Sequence, residues 1–381
     1  MKFLHLSDLH IGKTVNGFSM LEEQQHAFEQ VIRYIEAEKP EAVLIAGDVY
    51  DRAVPSVEAV RLFDDFLTDL AAKDVVVLLI SGNHDSPDRL NYASRLLLER
   101  KLHLCGVFDG ALRCVTLLDE YGPVHFWMLP FIKPSSVRGM FEEREIESYA
   151  DAIAAAVQSA DVDGSQRNVL LSHQFYTAAG TTPIRSESEI NPVGGLDAVD
   201  AGLLSAFDYV ALGHLHGAQG VGENARYAGS PVKYSFSEWK QKKSVTLVEI
   251  KEKGNLTLTA LPLTPVHDMR ELKGTLAQLL SDEAVLKSGK EDYLHVILTD
   301  EEELIDPMGK LRSFYPNVMA LDFENSRTSY DGTYAMLAAE QVAQLSPYEL
   351  FSQFFLEMSG AVLSGEQSQL VRELLEQEGE Q

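Results

Sequence analysis

Three short apolar runs, at residues 3–7, 42–46 and 75–80, are separated by two stretches of helical period. That alternation limits the first 110 residues to a strand-helix-strand-helix-strand unit. Residues 20–38 place Phe28, Val31, Ile32 and Ile35 on one helical face, and Pro40 ends the stretch. Residues 56–70 begin at Ser56, a favoured N-cap, and put Val60, Phe63, Phe66, Leu67 and Leu70 on one side. A run such as 42–46 has no polar face, so it must be covered on both sides. The order predicts a parallel sheet with helices on its faces.

Further along, residues 112–129 read as two strands about the turn Glu120-Tyr121-Gly122-Pro123. Residues 142–159 read as a helix, and 169–171 and 209–212 as buried strands. The long stretch 177–200, rich in Gly, Thr, Pro and Asn, is expected to border a substrate. The character changes near 262–267. A helix at 271–280, a strand at 293–298, a helix at 303–314 and a strand at 318–323 are expected to form a small α/β unit. Residues 326–345 read as a linker. Two amphipathic helices follow: Ser346-Pro347 opens one with Leu350, Phe351, Phe354, Phe355 and Met358 on a face. Ser364-Gly365-Glu366-Gln367 fits a capping box before Leu370, Val371, Leu374 and Leu375. The expected domains are therefore 1–265, 266–325, a linker 326–345 and a helical segment 346–381.

Each apolar run of the first domain ends in a short polar cluster: Asp8-Leu9-His10, Gly47-Asp48, Gly82-Asn83-His84-Asp85, Ser172-His173 and Gly213-His214-Leu215-His216. Taken singly, Asp-x-His fits a turn, Gly-Asp a strand end, and His173 an ordinary hydrogen-bonded histidine. Together, each at the carboxyl end of a strand, they converge on one rim, where open α/β sheets bind ligands. Carboxylate oxygens with imidazole nitrogens suit manganese, iron or zinc. Asp48 is the candidate bridge. Asp8, His10 and one histidine of the 214/216 pair would complete one ion, and Asn83, His173 and the other histidine a second. Two such ions clamp the attacking and leaving oxygens of a phosphoryl transfer. His5, His26, His103, His125, His267 and His295 lack this context and read as structural.

Charge narrows the partners. With 58 acids against 32 bases the net charge is −26, so the chain has no basic footprint of its own for nucleic acid. Either the substrate is small, or metal ions and a partner supply the positive charge. Lys240, Lys242 and Lys243 beside Trp239 read as a solvated turn before a strand. No membrane span is expected, and the opening residues do not read as a secretory signal. Cys105 and Cys114 form no disulfide framework, which points to a reducing cytoplasmic setting.

The five clusters, in this order, resemble the calcineurin-like metallophosphoesterase superfamily. That resemblance implies a four-layer β-sandwich flanked by helices, an α/β class that periodicity alone does not reveal; the small α/β capping domain and the C-terminal helical pair go with the narrower likeness that follows. The stretches 5–12 and 47–51, Tyr227-Ala228-Gly229-Ser230-Pro231 and Ser235-Phe236-Ser237-Glu238 are similar to the SbcD family of bacterial Mre11-type nuclease subunits. By that likeness, Asp8, His10, Asp48 and His216 bind one ion and Asp48, Asn83, His173 and His214 the other, usually Mn2+ with Mg2+ possible. His84 would not ligate but would contact the scissile phosphate. Asp85 would cap a turn or orient His84. Asp51 stands where archaeal and eukaryotic relatives carry a histidine. The family degrades duplex DNA 3′ to 5′, cuts single strands and hairpins in repair and recombination, and dimerises, through helices for which residues 90–98 are candidates. It pairs through its C-terminal helices with an SMC-like ATPase, SbcC. The alternatives are a small-molecule phosphodiesterase of the same superfamily and a non-catalytic scaffold.

Overall fold

The computed structural model describes residues 1–141, 143–178, 183–189, 198–281, 289–325 and 346–378. The chain forms two compact units, Met1–Asp268 and Met269–Gln381. The linker expected at 326–345 and most of the loop expected at 177–200 lie outside the described residues.

The strands of the first unit are β1 (Lys2–Leu6), β2 (Ala42–Ala46), β3 (Val76–Ile80), β4 (Leu102–Cys105), β5 (Arg113–Asp119), β6 (Gly122–Leu129), β7 (Arg167–Ser172), β8 (Tyr209–Leu212), β9 (Gln219–Val221), β10 (Ala225–Tyr227), β11 (Ser244–Ile250) and β12 (Leu256–Pro262). Its long helices are α1 (Leu21–Glu38), α2 (Val57–Ala72) and α3 (Tyr149–Ser159). One sheet runs β12-β11-β1-β2-β3-β4 and the other β9-β10-β8-β7-β6-β5. In each, parallel strands occupy the centre; the first sheet ends at one edge in the antiparallel pair β11 and β12, and the second has an antiparallel strand at both edges.

Side-chain alternation along the strands explains the layering. In β1 and β2, Phe3, Ala42 and Leu44 point to a core shared with Phe126, Met128, Val169, Leu171 and Tyr209 of the other sheet. Their neighbours Leu4, Leu6, Val43 and Ile45 point the opposite way, onto Phe28, Val31, Phe63 and Phe66 of α1 and α2. On the far face of the second sheet, Leu129, Leu170 and Leu212 pack on Ala152, Ile153 and Ala156 of α3. The result is the four-layer α/β/β/α sandwich that the resemblance implied. The face of α2 is narrower than its spacing suggests, since Val60 is exposed. The helix expected from 142 starts only at Tyr149, because Ser148 and Asp151 form a reciprocal capping box there.

The second unit contains a three-stranded parallel sheet of β13 (Met269–Gly274), β14 (Tyr293–Leu298) and β15 (Val318–Phe323). Two short helices, α4 (Leu276–Leu279) and α5 (Pro307–Arg312), lie beside it in sequence; Leu276, Leu279 and Leu311 share a core with Leu294, Val296 and Val318. Residues 271–280 are not one helix: Glu-Leu-Lys favours a helix, but pairing along the whole of β14 outweighs that weak preference, and only the turn after Thr275 is helical. The helix expected at 303–314 is trimmed by Asp306, which caps Gly309, and by Pro307 at its first position. The terminal helices are α6 (Pro347–Ser359) and α7 (Gly365–Glu378), with the expected capping box at Ser364/Gln367 and a further one, Ser346/Glu349, at the helix start that Ser346-Pro347 marked. Leu350, Phe351, Phe354, Leu370 and Leu374 are exposed along them. No helix among the described residues is long and apolar enough to cross a membrane.

Candidate metal centre

The loops after β1, β2, β3, β7 and β8 meet at one edge of the sandwich and bring the predicted residues together. The ligating atoms of Asp8, His10 and His216, of His10, Asp48 and His84, and of Asp8, Asp48 and His173 form three overlapping groups, each within 4.8 Å. Asn83 joins them, its Oδ1 lying 3.1 Å from His173 Nε2 and 3.0 Å from His214 Nδ1. His10 Nε2 and His216 Nε2 face each other at 3.1 Å.

The chain is bent sharply to achieve this. Asp8, His10, Asp48 and His214 all adopt positive φ, a region that costs a non-glycine residue of order 1 kcal/mol or more. Such turns aim successive side chains at one point instead of to alternate faces. The glycines of the motifs serve close approach. A Cβ on Gly47 would lie 2.4 Å from His173 Nδ1, and one on Gly213 would lie 2.0 Å from the Ala46 carbonyl oxygen and 2.6 Å from His173 Nδ1. His173 is thus seated between two bare backbones. Its Nδ1 donates to the Ala46 carbonyl at 2.7 Å, which leaves Nε2 without a proton in the neutral ring.

Asp48 is the hub. Its Oδ2 lies 3.2 Å from His173 Nε2 and 3.7 Å from His10 Nε2, and its Oδ1 accepts from the His84 backbone N–H at 2.8 Å. Burial pushes its carboxyl up, but His173, His10 and His84 outweigh burial and hold it well below the ordinary value. The reciprocal attraction lifts His173 to about 9 against the penalty of burial. Burial raises Asp8, and burial drives His10 well below its ordinary value and His214 down to about 3. A divalent cation would replace the His173 proton as the counter-charge of Asp8 and Asp48.

The donor set fits metal on a second count. Lone-pair donors converge there: His10 Nε2 meets His216 Nε2 beside Asp8, and Asn83 Oδ1 sits between His173 Nε2 and His214 Nδ1, the mixed oxygen and nitrogen set that divalent transition metals take. His84 differs: it is half-buried, and its Nδ1 donates to the Asp51 carbonyl at 2.8 Å. Asp85 does not touch that ring. It accepts from the backbone N–H groups of Gly82, Val49 and Tyr50, so it caps the turn, and burial pushes its carboxyl up to about 6.

Several contributors were not legible in one sequence. Lys243, read as part of a solvated turn, is buried and pairs with Glu238 at 2.6 Å. Glu238, Ser188 and Glu189 all reach His216. Gln24 of α1 donates to the carbonyls of Leu9 and His10 and accepts from Gly12, bracing the first loop. None lies at the carboxyl end of a strand, which was the signal that revealed the others.

Comparison with known proteins gives a consistent result. Residues 1–218 match the calcineurin-like phosphoesterase family, and 265–359 match a family described as the type 5 capsule protein repressor C-terminal domain. The chain is 31% identical over 379 residues to the SbcD subunit of the nuclease SbcCD from Staphylococcus epidermidis, covering 98% of each chain. It is 31% identical over 381 residues to that of Staphylococcus saprophyticus, again covering 98% of each. Among solved structures, a dimetal phosphatase from Danio rerio aligns over 70% of this chain and 97% of its own, at 12% identity and a TM-score of 0.41.

Proposed function

The chain belongs to the calcineurin-like phosphoesterases and, among them, to the SbcD family of SbcCD nuclease subunits, and from that premise we propose that it hydrolyses DNA phosphodiesters at the centre around Asp48. The observation that carries the reading is the position of that carboxylate, in reach of His10 on one side and His173 on the other. Asp8, His10, Asp48 and His216 would hold one divalent ion, and Asp48, Asn83, His173 and His214 a second, with Mn2+ as the preferred metal. Such ions, when bound, supply an activated water and charge neutralisation at the phosphate.

The chain's own residues do the rest. The backbone grips on His84, through its N–H to Asp48 and its Nδ1 to Asp51, fix the ring and leave Nε2 uninvolved in holding it. In its protonated form Nε2 would donate to the phosphate or to the leaving 3′ oxygen. Lys13, 2.8 Å from Asp51, puts a cation beside His10.

In this reading residues 1–265 are the nuclease domain and 266–325 a capping domain. The exposed apolar residues of α6 and α7 dock on an SbcC-type ATPase, which also supplies the positive surface this acidic chain lacks. Two copies of each would make the working complex, trimming duplex ends 3′ to 5′ and opening hairpins during DNA repair.

The test is cleavage of end-labelled duplex and hairpin DNA with Mn2+, with and without the ATPase, with His84→Ala as control. Progressive trimming that needs Mn2+ and His84 supports the reading. No DNA cleavage but rapid hydrolysis of a small phosphodiester would replace it with a small-molecule phosphodiesterase.

A further inference from the structure

Behind the Asp8, His10 and His216 group lies a buried polar cluster to which the hydrolysis assigns no task. Glu238 is fully enclosed. Its Oε1 accepts from His216 Nδ1 at 3.2 Å and from Ser188 Oγ at 2.7 Å, and Ser188 Oγ is itself 2.8 Å from that nitrogen. Its Oε2 pairs with Lys243 Nζ at 2.6 Å. The two remaining N–H groups of Lys243 are shared among the His216 carbonyl, Ser230 Oγ and Gln241 Oε1, each 2.9 Å from Nζ. The His216 N–H donates to Glu189 Oε1 at 2.6 Å. Ring, carbonyl and N–H of one residue are therefore each held from behind. His10 across the site is held differently: its Nδ1 has no hydrogen-bond partner among the described residues, with Asp51 Oδ1 3.6 Å away.

We infer that the Glu238–Lys243 pair is a positioning device for His216, keeping the proton on Nδ1 and so leaving the Nε2 lone pair, 3.1 Å from His10 Nε2, for a divalent cation. The inference rests on the two-ion reading above. An ionised carboxylate can only accept, so it dictates the tautomer, whereas an amide in the same place could turn and donate. Carboxylates behind metal-bound imidazoles both orient them and raise their basicity. Lys243 cancels the charge that Glu238 would otherwise bury alone. If the pair merely tied down the segment between residues 230 and 243, a neutral pair of similar volume would serve equally well.

The experiment compares full-length wild type, E238Q and the double variant E238Q/K243M. Thermal unfolding is measured in EDTA and Mn2+ binding by calorimetry. E238Q alone leaves Lys243 buried without its partner and is expected to unfold earlier. The double variant is expected to regain part of the unfolding temperature that E238Q loses, the His216 carbonyl, Ser230 Oγ and Gln241 Oε1 still lacking Lys243, yet to bind one of two Mn2+ ions roughly 10- to 100-fold more weakly. Wild-type affinity at both sites in the double variant overturns this inference alone. A wild type that takes up no Mn2+ overturns the metal-centre reading and this inference with it. A second measurement needs no variant: histidine 15N spectra of the wild type in EDTA are expected to show His216 as the Nδ1–H tautomer, and an Nε2–H tautomer overturns the proposal.

Discussion

His84 is oriented by the backbone of Asp51, not by a carboxylate: its Nδ1 donates to the Asp51 main-chain oxygen at 2.8 Å. A carbonyl can only accept, so the proton on Nδ1 is fixed and Nε2 is the nitrogen left over for the proton-donor role proposed above. The side chain of Asp51 meanwhile pairs with Lys13. A histidine at position 51 would keep the carbonyl grip and lose the ion pair.

His84→Ala should therefore lower kcat for DNA cleavage by about 10²- to 10⁴-fold, the range for loss of a positioned proton donor. Mn2+ uptake should stay near that of the wild type if His84 does not ligate: the Asp8, His10 and His216 group and the Asp8, Asp48 and His173 group survive the change, and only the His10, Asp48 and His84 group is broken. Single-turnover cleavage and calorimetric Mn2+ titration check both halves. Parallel loss of metal would make His84 a ligand.

Mn2+ should stabilise the fold. At a free concentration one hundred times the dissociation constant each site adds about 2.7 kcal/mol, which a thermal melt with and without EDTA will show as a rise in Tm. Asp48→Asn should remove most of that rise, since it weakens the carboxylate that reaches both His173 and His10.

Gly213→Ala tests the seating of His173. The new methyl meets the Ala46 carbonyl oxygen at 2.0 Å, and that carbonyl, at the buried carboxyl end of the central strand β2, is held by its bond from His173. The expected cost is about 1–3 kcal/mol of stability, as for overpacking in a core, together with weaker Mn2+ binding because the His173 bond to Ala46 opens. Urea denaturation in EDTA and a metal titration read the two effects separately.

Acid should weaken the first unit through Asp119. Hydrogen bonds from Arg167, and then the terminal amine of Met1, hold this carboxyl below the ordinary range against the effect of burial. Its folded value is lower than its unfolded value of about 3.9, so its contribution is complete above that pH and is lost as the pH falls. Asp119→Asn leaves Arg167 buried without its partner and should cost about 3 kcal/mol at pH 7. The stability gap between variant and wild type, from denaturant curves, should narrow as the pH drops from about 5 to about 2.

A chain ending at residue 345 should no longer bind the ATPase, because α6 and α7 carry the exposed Phe351, Phe354, Leu370 and Leu374. Mn2+-dependent hydrolysis of a simple phosphodiester should persist. Co-purification with the ATPase, set beside that assay, decides it.

What the sequence by itself determined was the order of strands and helices in the first 110 residues and the residue types at each strand end. Period-two burial and helical spacing are local properties, so Phe28, Val31, Phe63 and Phe66 announced their faces without a fold. The motifs likewise announced metal chemistry, because carboxylates and imidazoles repeated after successive strands have few other uses. Periodicity could not show that the strands divide into two sheets packed through Phe3 and Phe126, since a run buried on both faces looks the same whether helix or sheet covers it. Nor could it reveal that Met269–Gly274 is a strand, because that depends on a partner twenty-four residues away. Which nitrogen of His216 is free, and that Glu238 and Lys243 stand behind it, arose only where loops distant in sequence closed on one another. Those contacts are long-range and side-chain specific, and only the tertiary structure brings them into hydrogen-bonding distance.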